Sequence, residues 1–340
     1  MAYTFKNTEI NNEKASNFET KSLLYLIGKS NDRKQIEYVT FDCFNDVSGV
    51  NKSHDKIWDI QSKNEKALSP KKIGEYFFTL FDNYISGFSF KEFIFFCPVL
   101  KSSYKVDGSL RNYKTSNIQP GTLIRIKKGL TEEVERVKGK TVDYTSKISS
   151  FISMITIVES DETENEYIKS ITKFKRIDLK TDDFYKSVFN DLRNIQTTKK
   201  NTCIENVTIT EIREVLLFNR HLPVKDIELL VISRIIGCNI FDFKAIPLYF
   251  SPFTDGKDIE DKKDILQECN SNLSRAFFNK NSNRVFWEIC EELLTFFAAN
   301  TSKDVQFVYD TVFSSYRPRL SYLDELTLKY LISIILEGLE

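Results

Sequence analysis

Histidine is almost missing from this chain. With only His54 and His221 in 340 residues, His-rich metal sites and most Ser/His or Cys/His catalytic arrangements have little material to work with. There is no Cys-x-x-Cys either. The six cysteines, Cys43, Cys97, Cys203, Cys238, Cys269 and Cys290, are scattered, which argues against a zinc cluster and a secreted disulfide framework and leaves most of them as core thiols. Charge of one sign is not in excess: Lys+Arg and Asp+Glu both number 48, so any polyanion has to be met by a local patch. Long hydrophobic runs are absent. The longest, 93–100 and 330–336, fall well short of the ~20 residues that cross a bilayer, and the first residues are polar, without a signal-peptide core. A soluble, cytoplasmic protein without a membrane partner is expected. What the chain does have is core material: 41% hydrophobic and 13% aromatic residues suffice for one large domain or two modest ones.

The stretch richest in chemistry is 57–63, Ile-Trp-Asp-Ile-Gln-Ser-Lys. It reads as a strand, and alternation puts Asp59, Gln61 and Lys63 on one face. Taken alone it suits an edge strand with a solvated face. Its neighbours change that reading. Residues 36–44 form a β-branched and aromatic run entering Asn45-Asp46-Val47-Ser48-Gly49, which has turn chemistry, and the polar link 51–55 follows. The simplest arrangement is an antiparallel hairpin of the two strands. Upstream, a polar arm runs to Ser16 and a short amphipathic helix starts at Asn17, with Glu19 near its beginning.

Downstream, Ser69-Pro70 supplies an N-cap and a first-turn proline, and Ile73, Phe77, Leu80, Phe81 and Tyr84 recur at helical spacing. The run 92–99 is continuously apolar, as in a strand covered on both faces, and helix followed by buried strand is the pattern of a mixed α/β sheet with packed helices. Charged residues 102–147 are expected as helices and loops, 151–158 as a strand, and 183–195 and 207–219 as helices. Beyond Pro223 helical patterns dominate: 224–236, 261–278, 283–299, 304–313 and 321–339. A soft boundary at 200–222 divides an N-terminal α/β domain, residues 1–215, from a mainly α-helical C-terminal domain, residues 216–340.

Gly28-Lys29-Ser30 imitates the end of a phosphate-binding loop, but Leu23 stands where that loop's first glycine belongs. A better candidate joins Glu19, Asp42, Asp46, Gln61 and Lys63. Magnesium prefers oxygen donors, usually one or two carboxylates with water and substrate phosphate. Asp46 offers a carboxylate and Gln61 an amide oxygen, and Lys63, on the same face, is suited to stabilise a phosphorane-like transition state and the attacking hydroxide. The basic clusters Arg125, Lys127, Lys128 and Lys199, Lys200 are candidates for phosphate contacts, although most such clusters are solvated surface.

The order helix, strand ending in Phe41-Asp42-Cys43-Phe44-Asn45-Asp46-Val47, hairpin, Ile60-Gln61-Ser62-Lys63, helix and buried strand resembles the PD-(D/E)xK nuclease superfamily. Within it the chain is most similar to the Mrr-like branch with Gln-x-Lys, and to the double-stranded DNA endonuclease domain of bacterial anti-phage effectors in cyclic-oligonucleotide-signalling and Lamassu-type systems. Matching motifs cover roughly residues 15–100, with a looser likeness to about 215. The resemblance implies a restriction-endonuclease-like mixed sheet flanked by helices and a Mg2+- or Mn2+-dependent endonuclease cutting double-stranded DNA. It implies Asp46 and Gln61 as metal ligands, Lys63 as the catalytic lysine, and Asp42 and Glu19 as supporting acids. Asn45 stands where the family often has a second acid, and Asp59 is a possible substitute. The helical C-terminal residues are too few for the sensor domain of the signalling effectors, which favours docking on partner subunits of a defence complex or on further copies of the chain. The alternative is a nuclease-like adaptor without activity.

Overall fold

A meander of three antiparallel strands lies at the centre of the chain's α/β part. The computed structural model describes residues 2–6, 13–176, 179–200, 203–242, 245–314, 316 and 318–340; part of the expected polar arm, 7–12, lies outside them. Strand β1 (Tyr3–Thr4) and helix α1 (Glu13–Leu24) precede the meander of β2 (Ile36–Phe41), β3 (Val47–Asn51) and β4 (Ile57–Ser62). Helices α2 (Pro70–Tyr76) and α3 (Phe78–Tyr84) return the chain to β5 (Phe90–Cys97), parallel to β4. Then come β6 (Asn112–Lys114), α4 (Pro120–Lys138), α5 (Thr145–Met154) and β7 (Ile155–Glu159), which lies parallel to β5. Helices α6 (Glu164–Ile171) and α7 (Asp182–Lys199) lead to β8 (Thr208–Ile209), paired with β1, and to β9 (His221–Pro223). The large sheet has the order β6-β7-β5-β4-β3-β2-β9, a seven-stranded mixed sheet flanked by helices.

Two expectations about the meander change. Residues 36–44 and 57–63 do not pair with each other, because β3 runs between them. Asn, Asp, Ser and Gly gave this segment the composition of a turn, yet Gly49 is a strand residue: an added Cβ there would meet Ile36 Cγ2 and Leu26 Cδ2 at 3.1 Å, so the neighbouring side chains need the space. Strand β4 is therefore no edge strand. It lies between β3 and β5 and is buried at every position.

The apolar β5 is covered on both faces, as its composition requires. Phe93, Phe95 and Cys97 join Ile73 of α2, Leu80 and Phe81 of α3, Phe77 at the junction of those two helices, and residues of α4 and α5 in one core. Between them, Phe96 packs on Phe18 of α1 at 4.9 Å between ring centroids and on Tyr167 of α6 at 6.3 Å. The expected strand at 151–158 is shorter: Ile148, Phe151 and Ile152 bury one face of α5, and extended structure starts only at Ile155. The helix expected at 207–219 is instead β8 and a six-residue 3₁₀ turn, Ile212–Leu217, closed by a reciprocal cap of Glu211 and Glu214. Only Ile212 and Val215 of that turn are buried, so no continuous apolar face extends it.

The chain forms two compact units, one of Met1–Tyr167 with Phe189–Val224, the other of Ile168–Val188 with Lys225–Glu340. The second is helical, with α8 (Val224–Ile236), α9 (Ile259–Phe278), α10 (Asn283–Ala299), α11 (Val305–Phe313) and α12 (Glu325–Leu339). Every residue of α12 from Thr327 to Leu336 is buried, the signature of a helix enclosed by its neighbours. No helix among the described residues is long and apolar enough to cross a membrane.

Candidate active site

The register of β3 against β4 sets Val47 opposite Ile60 and Ser48 opposite Asp59. One step further along the same ladder brings Asp46 opposite Gln61, on the face shared by Ser48 and Asp59. The side chains meet accordingly. Gln61 Nε2 donates to Asp46 Oδ2 at 2.8 Å, and the Ser62 backbone N–H and Oγ each donate to the same oxygen at 2.7 Å. Helix α3, anchored by Leu80 and Phe81, carries Thr79 and Asn83 one turn apart against this face. Thr79 Oγ1 donates to Gln61 Oε1 at 2.5 Å, and Asn83 Nδ2 donates to Asp59 Oδ2 at 2.7 Å.

Asp59 is wholly enclosed. It accepts further bonds from Asn45 Nδ2 at 2.6 Å and Ser48 Oγ at 2.9 Å. Burial pushes its carboxyl up to about 6, against the pull of these three donors. This residue ties the β2–β3 connection and α3 to β4, and Asn45, at the position of a possible second acid, is committed to that bond.

Asp42 and Glu19 form the other half of the cluster. Phe41 pairs with Val47, so the next step sets Asp42 beside Asp46, and the Asp42 N–H reaches Asp46 O at 3.3 Å. Asp42 takes φ 49°, in the left-handed region. Its Oδ2 lies 3.2 Å from Lys200 Nζ and 3.5 Å from an Arg220 guanidinium nitrogen. Lys200 Nζ also donates to Glu19 Oε2, which accepts from Gln196 Nε2 at 3.4 Å. Burial first, and then the charge of Asp46, push the carboxyls of Glu19 and Asp42 upward, while Lys200 pulls both back. Lys200 stays charged: burial disfavours its ammonium, but Glu19 and Asp42 more than compensate.

Lys63 leaves the end of β4 with its N–H bonded to Phe96 O at 2.9 Å, which continues the ladder to β5. Its Nζ lies 5.4 Å from the centroid of the Tyr76 ring, and Lys72 Nζ is 4.9 Å from the same ring. The Tyr76 hydroxyl donates to Glu65 Oε2 at 2.6 Å.

Of the residues singled out from sequence, Asp46 and Gln61 are thus in direct contact, Asp42 and Glu19 are joined through Lys200, and Lys63 emerges two positions beyond Gln61. Sequence reasoning missed Ser62, Thr79, Asn83 and Arg220. It weighed Lys200 as a phosphate contact or as solvated surface, whereas only 13% of the side chain is exposed and its ammonium meets Glu19 and Asp42. Arg125, Lys127 and Lys128 stay at the surface of α4, bonded to Gly121 O, Ser149 Oγ and, at 3.8 Å, Glu132. Among the described residues no group of three or more His, Cys, Asp or Glu side chains is placed to hold a metal ion unaided. No family model, curated protein or solved structure matches this chain.

Proposed function

We propose that the chain is a metal-dependent DNA endonuclease, hydrolysing phosphodiester bonds with Asp46, Gln61 and Lys63, and that it serves as the effector subunit of a bacterial anti-phage system. The observation that carries the reading is the Asp46–Gln61 hydrogen bond across β3 and β4, two positions before Lys63 on a buried central strand. The order of helix, three-stranded meander, helix and parallel strand supports the restriction-endonuclease-like version of the mixed sheet.

The donors suit magnesium or manganese in chemistry, since Asp46, Asp42, Glu19 and Gln61 supply oxygen only. Gln61 now turns its amide nitrogen toward Asp46. Exchanging the two ends of the amide would turn Oε1 toward Asp46 and Nε2 toward the Thr79 hydroxyl; two acceptor oxygens would then face each other, which is an arrangement that a cation between them satisfies. When bound, a divalent cation supplies charge neutralisation at the scissile phosphate and activation of the attacking water. Asp46 and Gln61 hold it, with Asp42 and Glu19 as supporting acids. The Lys63 ammonium, steadied by the Tyr76 ring, offsets charge that develops on the phosphate oxygens. DNA is held through phosphate contacts, so binding falls steeply with salt. The second, helical unit offers a docking surface for partner subunits or a further copy of the chain.

One observation favours a non-catalytic adaptor instead: Asp46 Oδ2 already accepts three bonds from Gln61 and Ser62, an arrangement complete without a cation. Incubation of supercoiled plasmid with Mg2+, in the presence of candidate partner subunits, separates the two. The endonuclease nicks or linearises it, and Asp46→Ala and Lys63→Ala abolish cutting. Variants that cut as well as the parent would overturn the site, and a parent silent under every activating condition leaves the adaptor.

A further inference from the structure

The cation closest to the acid cluster is part of the protein. Lys200 stands just beyond the last residue of α7, and its ammonium reaches both Glu19 and Asp42. The second cation, Arg220, is a fixed part of the fold. It is 1% exposed, donates to Lys200 O at 2.8 Å and to Phe41 O at 3.4 Å, and so braces the ends of α7 and β2. Lys200 differs. It carries a point charge on a flexible four-carbon stem, and its N–H is anchored separately, on Thr197 O at 3.1 Å. Neither backbone bond of Lys200 involves the side chain, so its position is set by the stem's own torsions.

We propose that the Lys200 ammonium is a built-in monovalent counter-ion that occupies the Glu19–Asp42 side of the cluster in the metal-free protein and has to withdraw when a divalent cation binds. The proposal rests on reading the cluster as a metal centre. The ammonium lies against Glu19 Oε2 and Asp42 Oδ2, and a divalent ion brought to the same carboxylates meets its positive charge at close range, so the two cations compete. Metal then binds only the fraction of molecules in which Lys200 has moved out, and the apparent affinity drops by that fraction. Lys200 thereby sets the metal concentration at which the site fills, and whatever holds the side chain in its withdrawn position raises metal affinity by the same factor.

The test is an electron paramagnetic resonance titration of Mn2+ into the full chain, for the parent, Lys200→Met and Lys200→Gln, with thermal melts of each in EDTA and in Mn2+. Methionine keeps much of the stem and removes the charge, and glutamine keeps a donor if methionine folds poorly. Mn2+ binding is expected to tighten by about tenfold or more in both variants. Melting temperatures should fall in EDTA and rise further with Mn2+ than in the parent, a gain that a merely structural lysine does not produce. If the parent binds Mn2+ and the variants bind it equally or more weakly, Lys200 is no competitor and the proposal is wrong. Absence of Mn2+ binding in all three proteins overturns the metal-centre reading and this inference together.

Discussion

Asp59 separates structural from catalytic acids, and two substitutions at this position have unequal expected outcomes. Truncation to alanine removes the acceptor of Asn45 Nδ2, Ser48 Oγ and Asn83 Nδ2 at a site with no solvent exposure. A buried donor left without its acceptor costs about 1–3 kcal/mol. Three at the low end give ~3 kcal/mol, and incomplete collapse of the space raises this toward ~5 kcal/mol. Asp59→Asn is different. Both asparagine donors fall on Oδ2, which an amide oxygen replaces, while Ser48 Oγ, facing Oδ1, turns to accept from the new amide nitrogen. That variant keeps both asparagine bonds and relieves the burial of a charge, but it takes the Ser48 O–H off its acceptor, so it should cost ~1–2 kcal/mol, less than alanine. Urea unfolding followed by circular dichroism gives both values, provided the slopes stay equal. Asp59→Asn should also retain plasmid cleavage. Should alanine cost less than ~1 kcal/mol, or asparagine cost as much as alanine, the hydrogen-bond account of Asp59 is refuted.

Other consequences are as direct. At Gly74 an added Cβ would lie 2.0 Å from Ile126 O, where α2 crosses α4, whereas at Gly121 it would meet nothing within 4 Å. Gly74→Ala should cost ~1–3 kcal/mol and Gly121→Ala should gain a few tenths to ~1 kcal/mol in thermal melts; equal effects would count against the crossing. Asp42→Asn removes a like charge facing Asp46 and suits the left-handed backbone, but it also takes a carboxylate from Lys200 and Arg220, so stability should fall by no more than ~3 kcal/mol while cleavage falls at least tenfold. A larger loss of stability would make Asp42 a structural acid. Tyr76→Leu removes the ring beside Lys63 and should lower kcat with little change in KM; an unaltered kcat would detach the ring from catalysis. Burial alone would raise the Asp82 carboxyl, but hydrogen bonds from Lys138 and Lys6 outweigh it and hold the group below its usual range. The folded value being depressed, this stability is present above pH ~4 and disappears as pH falls through the folded value. Lys138→Met should therefore flatten the difference between urea midpoints at pH 5 and pH 3, and an unchanged difference would refute the pairing.

Sequence periodicity carried the elements whose burial is one-sided or complete. The start of the helix opened by Ser69-Pro70 and the apolar strand before Cys97 are where composition puts them, because cap chemistry and continuous hydrophobicity are local properties, although the expected single helix is two, meeting at Phe77. Strand β3 was illegible. Ser48, Gly49 and Asn51 are turn formers, and what makes the segment a strand is pairing on both sides, to β2 and to β4, which the segment's own composition does not report. The same limit divides the site. Asp46, Gln61 and Lys63 lie within one meander and share a spacing, so alternation exposes them. Lys200 and Arg220 come from the far end of the first unit and look like surface residues until the fold places them against Glu19 and Asp42.

The connection between β2 and β3 shows why this corner is more than a stable way of joining two strands. Asp42 and Asp46 face each other across the ladder, an arrangement of like charges that opposes pairing, and Asp42 does so from a left-handed backbone that is unfavourable for most residues. Glu19 adds a third carboxylate from α1, buried to 7% exposure. Two cations are then drawn in to balance them, and one, Arg220, is itself wholly enclosed, at a desolvation cost that ion pairing only partly returns. Neutral residues at 19, 42 and 200 together would remove most of that conflict without touching the apolar core. Every one of these costs converges on the β3–β4 end that carries Gln61, and the groups involved are those that hold and balance positive charge. Opposed preferences concentrated at one point are what a site kept for function would show, and they support the proposed reading of this cluster.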